Sequence, residues 1–296
     1  MTRFRSRGLS DSLTRSLMSM PALIMVAVLI TVPLLLSFYF SFTDWRGSGF
    51  DANFVGIANY TRLFATPGFG RAVVVTLTIA ISSTILLNLV GLGLALLLNR
   101  AGVLTSLYRS IFFLPMVLSP LIVGFLWRTL LDYGGIINQL LGSIGIPPVG
   151  FLGQPESALA SVIWVIVWQS LGFNMVLYLA GLQNIPKSLI EASIVDGAGT
   201  FSTFRHVTFP MLAPVLTVNV VSVFIFNMRE YDRILAVTAG GPGGSTQTLA
   251  YRVVTEAFSL GFLGRGSAYA TVLMVSVAIV AGGLIYLLRR REKDVL

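Results

Sequence analysis

The sequence predicts an all-α integral membrane protein of six transmembrane helices, with both termini in the cytoplasm. Three observations carry that expectation: 55% of the 296 residues are apolar, only 11% are charged, and the apolar residues gather into continuous runs. An average soluble protein carries roughly 25% charged residues. A mean hydropathy of +0.85 leaves too little polar surface to coat a globule of this size. Barrel strands would alternate apolar and polar positions, so continuous runs mean helices.

A helix crossing the hydrocarbon needs about 20 largely apolar residues. Six runs qualify: 20–42, 72–98, 111–131, 158–182, 215–228 with an upstream extension over 209–212, and 268–288. Pro21, Pro33, Pro115 and Pro120 fall at or inside these runs and predict kinks. The first run is too long for a signal-peptide core, and no small-residue cleavage site precedes Asp44, so it is expected to persist as a helix. The chain divides into an N-terminal segment 1–19, a six-helix domain 20–288 containing the inner loop 185–214, and a basic tail 289–296. Trp45 and Trp127 read as interfacial anchors.

Orientation follows from the basic residues. With the N-terminus inside, the inner side holds twelve of the twenty basic residues and five of the twelve acidic ones, a net +7 that leaves +1 outside. The positive side of a polytopic protein is the cytoplasmic one. The same placement accounts for the overall net charge of +8 without a nucleic-acid partner, because the arginines sit at the ends of apolar runs. The outer loops are 44–71, 132–157 and 229–266, the last with a Gly240-Gly241-Pro242-Gly243-Gly244 run read as a flexible turn.

Enzyme chemistry finds few materials. Cysteine is absent, which excludes disulfides and thiolate metal sites. His206 is the only histidine; a lone histidine reads as a polar residue at the membrane boundary more readily than as a ligand, no Cys/His set can hold a metal, and no Ser/His/Asp arrangement is suggested beyond it. No phosphate-binding G-x-x-x-x-G-K-[ST] loop exists, and Lys187 and Lys293 are the only lysines. If ATP drives this protein, another chain hydrolyses it.

The inner loop after the fourth run is the most informative segment. Pro186 suits the first turn of a helix, and residues 188–196 are good helix formers with Leu189, Ala192 and Ser193 on one face. Gly197-Ala198-Gly199 permits a left-handed exit, and Thr200 can cap a second helix that Pro210 and Pro214 separate from the fifth span. Glu191-Ala192, Asp196-Gly197-Ala198 and Phe209-Pro210 together resemble the EAA loop of permease subunits in bacterial ATP-binding-cassette importers, most closely the carbohydrate-uptake branch. Asn59-Tyr60, Arg109 with Phe113-Leu114-Pro115, and Thr238-Ala239-Gly240-Gly241-Pro242 extend the resemblance along the chain. Ser193 and Phe209 depart from the usual alanine and leucine, leaving helix and break intact.

The resemblance implies a type I importer permease fold in a bacterial inner membrane. It implies a second permease subunit, a homodimeric ATP-binding subunit that holds ATP and Mg, and an external solute-binding protein as partners, with no cofactor on this chain. It makes Glu191, Ala192, Ser193, Asp196, Gly197, Ala198 and Pro210 the loop that docks on the ATPase. The small residues admit close approach and the two acids offer charges to a basic groove.

Polar groups inside spans are expensive and mark candidate pathways. Gln169, Ser170 and Phe173 in the fourth span face Asn227 and Glu230 in the fifth, which lie three apart and so share a helical face. Phe224 and Phe226 supply rings beside them, an arrangement suited to a sugar. Asn227 and Glu230 read equally well as groups reaching from the outer end of the span toward water. Asn88 and Asn219 read as interhelical hydrogen-bonding residues. The competing class is an ion-coupled secondary transporter or channel, for which Glu230 is the only plausible coupling acid and no matching halves are visible.

Overall fold

The computed structural model describes residues 18–47, 52–100 and 102–295. The N-terminal arginines Arg3, Arg5, Arg7 and Arg15, on which part of the charge argument rests, lie outside the described residues. In chain order the helices are α1 (Met18–Phe40), α2 (Ala58–Ala65), α3 (Pro67–Leu98), α4 (Val103–Val117), α5 (Pro120–Leu131), α6 (Ile136–Ser143) and α7 (Pro155–Gln183). There follow α8 (Lys187–Val195), α9 (Thr200–Met211), α10 (Ala213–Met228), α11 (Asp232–Val237), α12 (Leu249–Val254) and α13 (Leu263–Val295). Five helical stretches are long and apolar enough to cross a membrane, six when α9 and α10 count as one span bent by 65°. The only strand-like feature among the described residues is an isolated antiparallel bridge between Thr43 and Phe54. Beside it the Asn53 side chain and N–H donate to Asp44, holding that carboxyl below the usual carboxylate range.

Helices α3 and α7 are the central pillars. Their side chains enter the packed clusters on every side: Ala72 and Ala80 with Phe224, Leu249 and Leu273; Val75 and Val162 with Val123 and Ile234; Ala95 and Tyr178 with Leu212. Over half of the most apolar stretch of α7 is buried, against none of that of α1. Between helices in lipid there is little hydrophobic drive, so packing depends on small residues that admit close backbone approach. At Gly172 of α7 an added β-carbon would overlap the Phe112 carbonyl of α4. At Gly91 of α3 it would press on the Asn174 side chain at 3.0 Å.

The third apolar run, expected as one helix over 111–131, is two helices broken at Leu118-Ser119. Pro120 takes the first turn of α5, and a residue before proline is held extended, as Ser119 is with ψ 135°. Pro115, where a kink is expected, lies within α4 and does not interrupt it. Pro210 likewise does not end its helix. A π turn over Phe204–Thr208 precedes it, in which the Phe209 N–H reaches Phe204 O, and this wider turn absorbs the proline. The bend comes instead at Leu212, with Pro214 in the first turn of α10.

Three residues of the scattered motifs tie helix ends. Asn59 is buried and donates to Ser41 O and Thr43 O at 2.9 and 2.8 Å, capping the end of α1. The Tyr60 hydroxyl shares a 2.6 Å bond with Ser41 Oγ. Arg109 donates to Leu98 O and Arg100 O, satisfying carbonyls left open where the 32-residue α3 ends. The glycine-rich outer turn, read as flexible, is bonded at several points: Tyr251 Oη donates to Ala239 O and Arg71 Nη1 to Gly243 O. Trp127, read as an interfacial anchor, packs edge-on against Trp168 at 5.3 Å beside the core. Trp45 stacks on Phe40 at 4.1 Å where α1 ends.

Candidate functional site

Two places in the fold carry the residues singled out by the sequence. The first is the hairpin of α8 and α9. Pro186 stands as the N-cap of α8 and not within its first turn, and Gly199, not Thr200, is the N-cap of α9. Between them the chain turns by a Schellman motif. Gly197 adopts φ +80°, its N–H reaches Ile194 O at 3.0 Å, and the Ala198 N–H reaches Ser193 O at 2.9 Å. Ser193 is half-buried: its hydroxyl donates to Ile190 O and meets Thr203 Oγ1 at 3.1 Å, which locks α8 to α9. Glu191, Ala192, Asp196 and Gly197 are exposed and Ala198 is half-buried. His206 is exposed and bonds Ser202 O within α9.

The hairpin also presents apolar side chains that the sequence reading passed over. Val195 is 86% exposed, Phe201 77% and Ile194 62%, clustered around the Gly197 turn. A polar loop would not hold three such groups in water without a partner to cover them. The available signal was their position, flanking the glycine turn on both sides.

The second place is a cavity of about 460 Å³ between α4, α5, α7, α10 and the segment that follows α10. Ser170 and Phe173 line it from α7, Phe226 and Asn227 from α10, and Glu230 from beyond. The Asn227 Nδ2 donor is buried with no hydrogen-bond partner. Phe226 is 62% exposed, whereas Phe224, expected beside it, is buried in the cluster that also holds Leu63 and Ala72. Asn227 and Glu230 do not share a helical face. The helix ends at Met228 with Arg229 as C-cap, and Glu230 lies in the connection before α11.

Gln169 does not line the cavity. It is buried between helices, donating Nε2 to Leu118 O at 2.8 Å and accepting from Arg233 Nε at 2.7 Å. Arg233 in turn pairs with Glu230, Nη1 to Oε2 at 2.5 Å, and its N–H reaches Oε1 at 3.2 Å. This is the only ion pair among the described residues. The Glu230 carbonyl accepts from Thr248 Oγ1 at 2.8 Å. Glu230 therefore has two roles in the geometry, a cavity wall and one end of a chain of bonds running to the break between α4 and α5. Met116 and Pro120, at that break, also line the cavity. The proline-broken span was the sequence signal for them.

The remaining intramembrane asparagines differ from one another. Asn88 accepts from Tyr178 Oη at 2.5 Å, joining α3 to α7. Asn219 is fully buried on α10 with its amide beside the Tyr178 hydroxyl of α7, outside ordinary hydrogen-bond geometry. No group of three or more metal-ligating side chains occurs among the described residues.

A bundle of membrane-length helices around a mostly apolar cavity with a few polar groups, and an exposed helical hairpin at one end, is the architecture of a transport subunit. The chain belongs to the family of binding-protein-dependent transport system inner membrane components, whose model matches residues 87–293. A trehalose/maltose transport system permease protein, MalF of Thermococcus litoralis, is 35% identical over 270 residues, covering 89% of this chain and 90% of that one. A sulfoquinovosyl glycerol transport system permease protein, SmoG of Agrobacterium fabrum, is 34% identical over 289 residues, covering 97% and 93%. A chain of a bacterial ABC transporter involved in alginate import superposes with a TM-score of 0.83 over 96% of this chain and 98% of that one. Its 22% identity makes this a likeness of fold. The fold is that of the type I importer permeases, as the EAA-like loop implied, and the family is one of transport components and not of enzymes.

Proposed function

We propose that this chain is the permease subunit of a bacterial inner-membrane importer that moves a sugar or a related polyol or glycerol ester inward, energised by a separate homodimeric ATPase. The observation that carries the reading is the α8–α9 hairpin. It is a rigid, bonded turn that exposes Val195, Phe201, Glu191 and Asp196 together, a surface suited to a groove on another protein. The named relatives support the solute class, since they are permeases for trehalose/maltose and for sulfoquinovosyl glycerol. A second permease subunit completes the pathway, and an external solute-binding protein delivers the solute. Ser170, Phe173, Phe226 and Asn227 form the wall that meets it, with stacking surface from the rings and a free donor from Asn227. Gln169 and Glu230 hold that wall in place. ATP and Mg reside on the ATPase. Affinity purification of this chain from native membranes in mild detergent tests the reading. A stoichiometric ATPase and second permease are expected, and their absence from an otherwise folded preparation would contradict it.

A further inference from the structure

At the outer end of the bundle the tail of α1 is bound to the start of α13. The Gly264 N–H donates to Trp45 O at 2.9 Å, and a β-carbon at Gly264 would overlap the Thr43 carbonyl. This contact holds Arg46 and Arg265 on one aromatic ring: their Cζ atoms lie 5.1 and 3.9 Å from the centroid of Phe262. Two acids are near. Asp44 gives its oxygens to Asn53 and lies within electrostatic range of Arg46, Glu256 lies within electrostatic range of Arg265, and neither carboxylate is within 4 Å of either guanidinium group. Two arginines thus share one ring without an ion pair among the described residues.

Their depth and surroundings say what would bind. Arg265 is the third residue of a membrane-length helix and Arg46 follows the end of another, so both sit at the level where headgroups lie. Below them α1 and α13 offer exposed apolar side chains to the hydrocarbon, Phe38 and Leu35 on one and Val275 and Ile279 on the other. Phe258, four residues before Phe262 in the chain, is 74% exposed. Guanidinium groups bind phosphate oxygens in paired hydrogen bonds, and a ring beneath them fixes their planes.

We propose that Arg46 and Arg265 form a binding site for the phosphate of an anionic phospholipid whose acyl chains lie along α1 and α13. The test uses the intact transporter complex, stripped of lipid and titrated with phosphatidylglycerol or phosphatidylcholine, with bound lipid read by native mass spectrometry. Phosphatidylglycerol is expected to bind at least about tenfold more tightly than phosphatidylcholine. The doubly substituted Arg46→Gln/Arg265→Gln complex is expected to lose that preference while keeping its subunit composition. Arg46→Lys/Arg265→Lys should retain part of it. Equal retention of the two lipids by the unsubstituted complex would overturn the proposal, as would an unchanged preference in the glutamine variant. Displacement of the lipid by millimolar inorganic phosphate would reduce the site to a general anion site and overturn it too. Unaltered lipid binding with weakened capture of the solute-binding protein would assign the arginines to a protein contact instead.

Discussion

Arg233 bonds Gln169 through Nε at 2.7 Å and Glu230 through Nη1 at 2.5 Å, so one guanidinium ties α11 to α7 and to the segment that ends α10. All three side chains are buried, and Gln169 passes the connection on to Leu118 O at the break in the third span. The polar groups that look like a solute-binding set are, in part, the frame of the cavity. Removing one partner from such a pair leaves the other charge buried and uncompensated, which costs far more than the pair contributes.

Glu230→Ala should accordingly destabilise the chain by about 3–5 kcal/mol. In detergent this reads as a lowered unfolding temperature and poor recovery of assembled complex. Gln169→Leu strands the Leu118 carbonyl and one Arg233 N–H and should cost roughly 1–3 kcal/mol. A Glu230→Ala complex that assembles and melts like the parent would show that the pair is not structural.

Asn227→Ala should behave in the opposite way. Its Nδ2 has no protein partner, so stability and assembly are expected to hold. The loss falls on the solute: one or two hydrogen bonds worth roughly 1–3 kcal/mol, about tenfold to hundredfold in affinity at the membrane site. Uptake measured across a panel of sugars should slow or change in selectivity, while ATP hydrolysis still responds to the loaded binding protein. Unchanged uptake of every sugar would move the pathway elsewhere.

The difference between these two residues was not readable in the sequence. A three-residue spacing places Asn227 and Glu230 on one face only if the helix continues, and nothing in Asn227-Met228-Arg229-Glu230 announces that it stops at Met228. Phe224 and Phe226 were parted for a related reason, since two positions along a helix differ by about 200° and face opposite sides. The apolar runs and the hairpin were legible because they rest on strong local signals: hydrocarbon length for the spans, and a glycine at the one position that needs φ near +80°. The break at Ser119 was half legible. Pro120 marked a kink, but whether a proline bends a helix or starts a new one depends on the neighbours, as Pro115 and Pro210 show.

The hairpin permits a test that separates backbone strain from contact with a partner. No atom lies within 4 Å of a β-carbon placed at Gly197, so Gly197→Ala adds only the left-handed penalty of about 1–2 kcal/mol. Gly197→Leu adds the same strain and a bulky side chain on the exposed face, and Val195→Asp adds a charge there with no strain. We expect Gly197→Ala to retain most of its ATPase coupling, with Gly197→Leu and Val195→Asp losing it though solute capture by the external protein is normal. Coupling that falls equally in Gly197→Ala and Gly197→Leu while Val195→Asp is unaffected would make the turn's shape, and not its surface, the requirement.

Orientation is open to chemical labelling. Glu156, in the first turn of α7, and Ser188, in α8 beyond the other end of α7, are both exposed. Glu156→Cys should react with an impermeant thiol reagent added to intact cells, and Ser188→Cys only once the membrane is opened. The reverse pattern would invert the topology and remove the hairpin from the ATP-containing side.

Uptake of a labelled sugar into proteoliposomes reconstituted from this chain, its second permease, the ATPase and the solute-binding protein tests the central claim most directly. Uptake is predicted to require ATP on the hairpin side, to disappear when the ATPase is omitted, and to persist when proton and sodium gradients are collapsed. Uptake that proceeds without the ATPase and follows an imposed ion gradient would contradict the account and make this chain a secondary transporter.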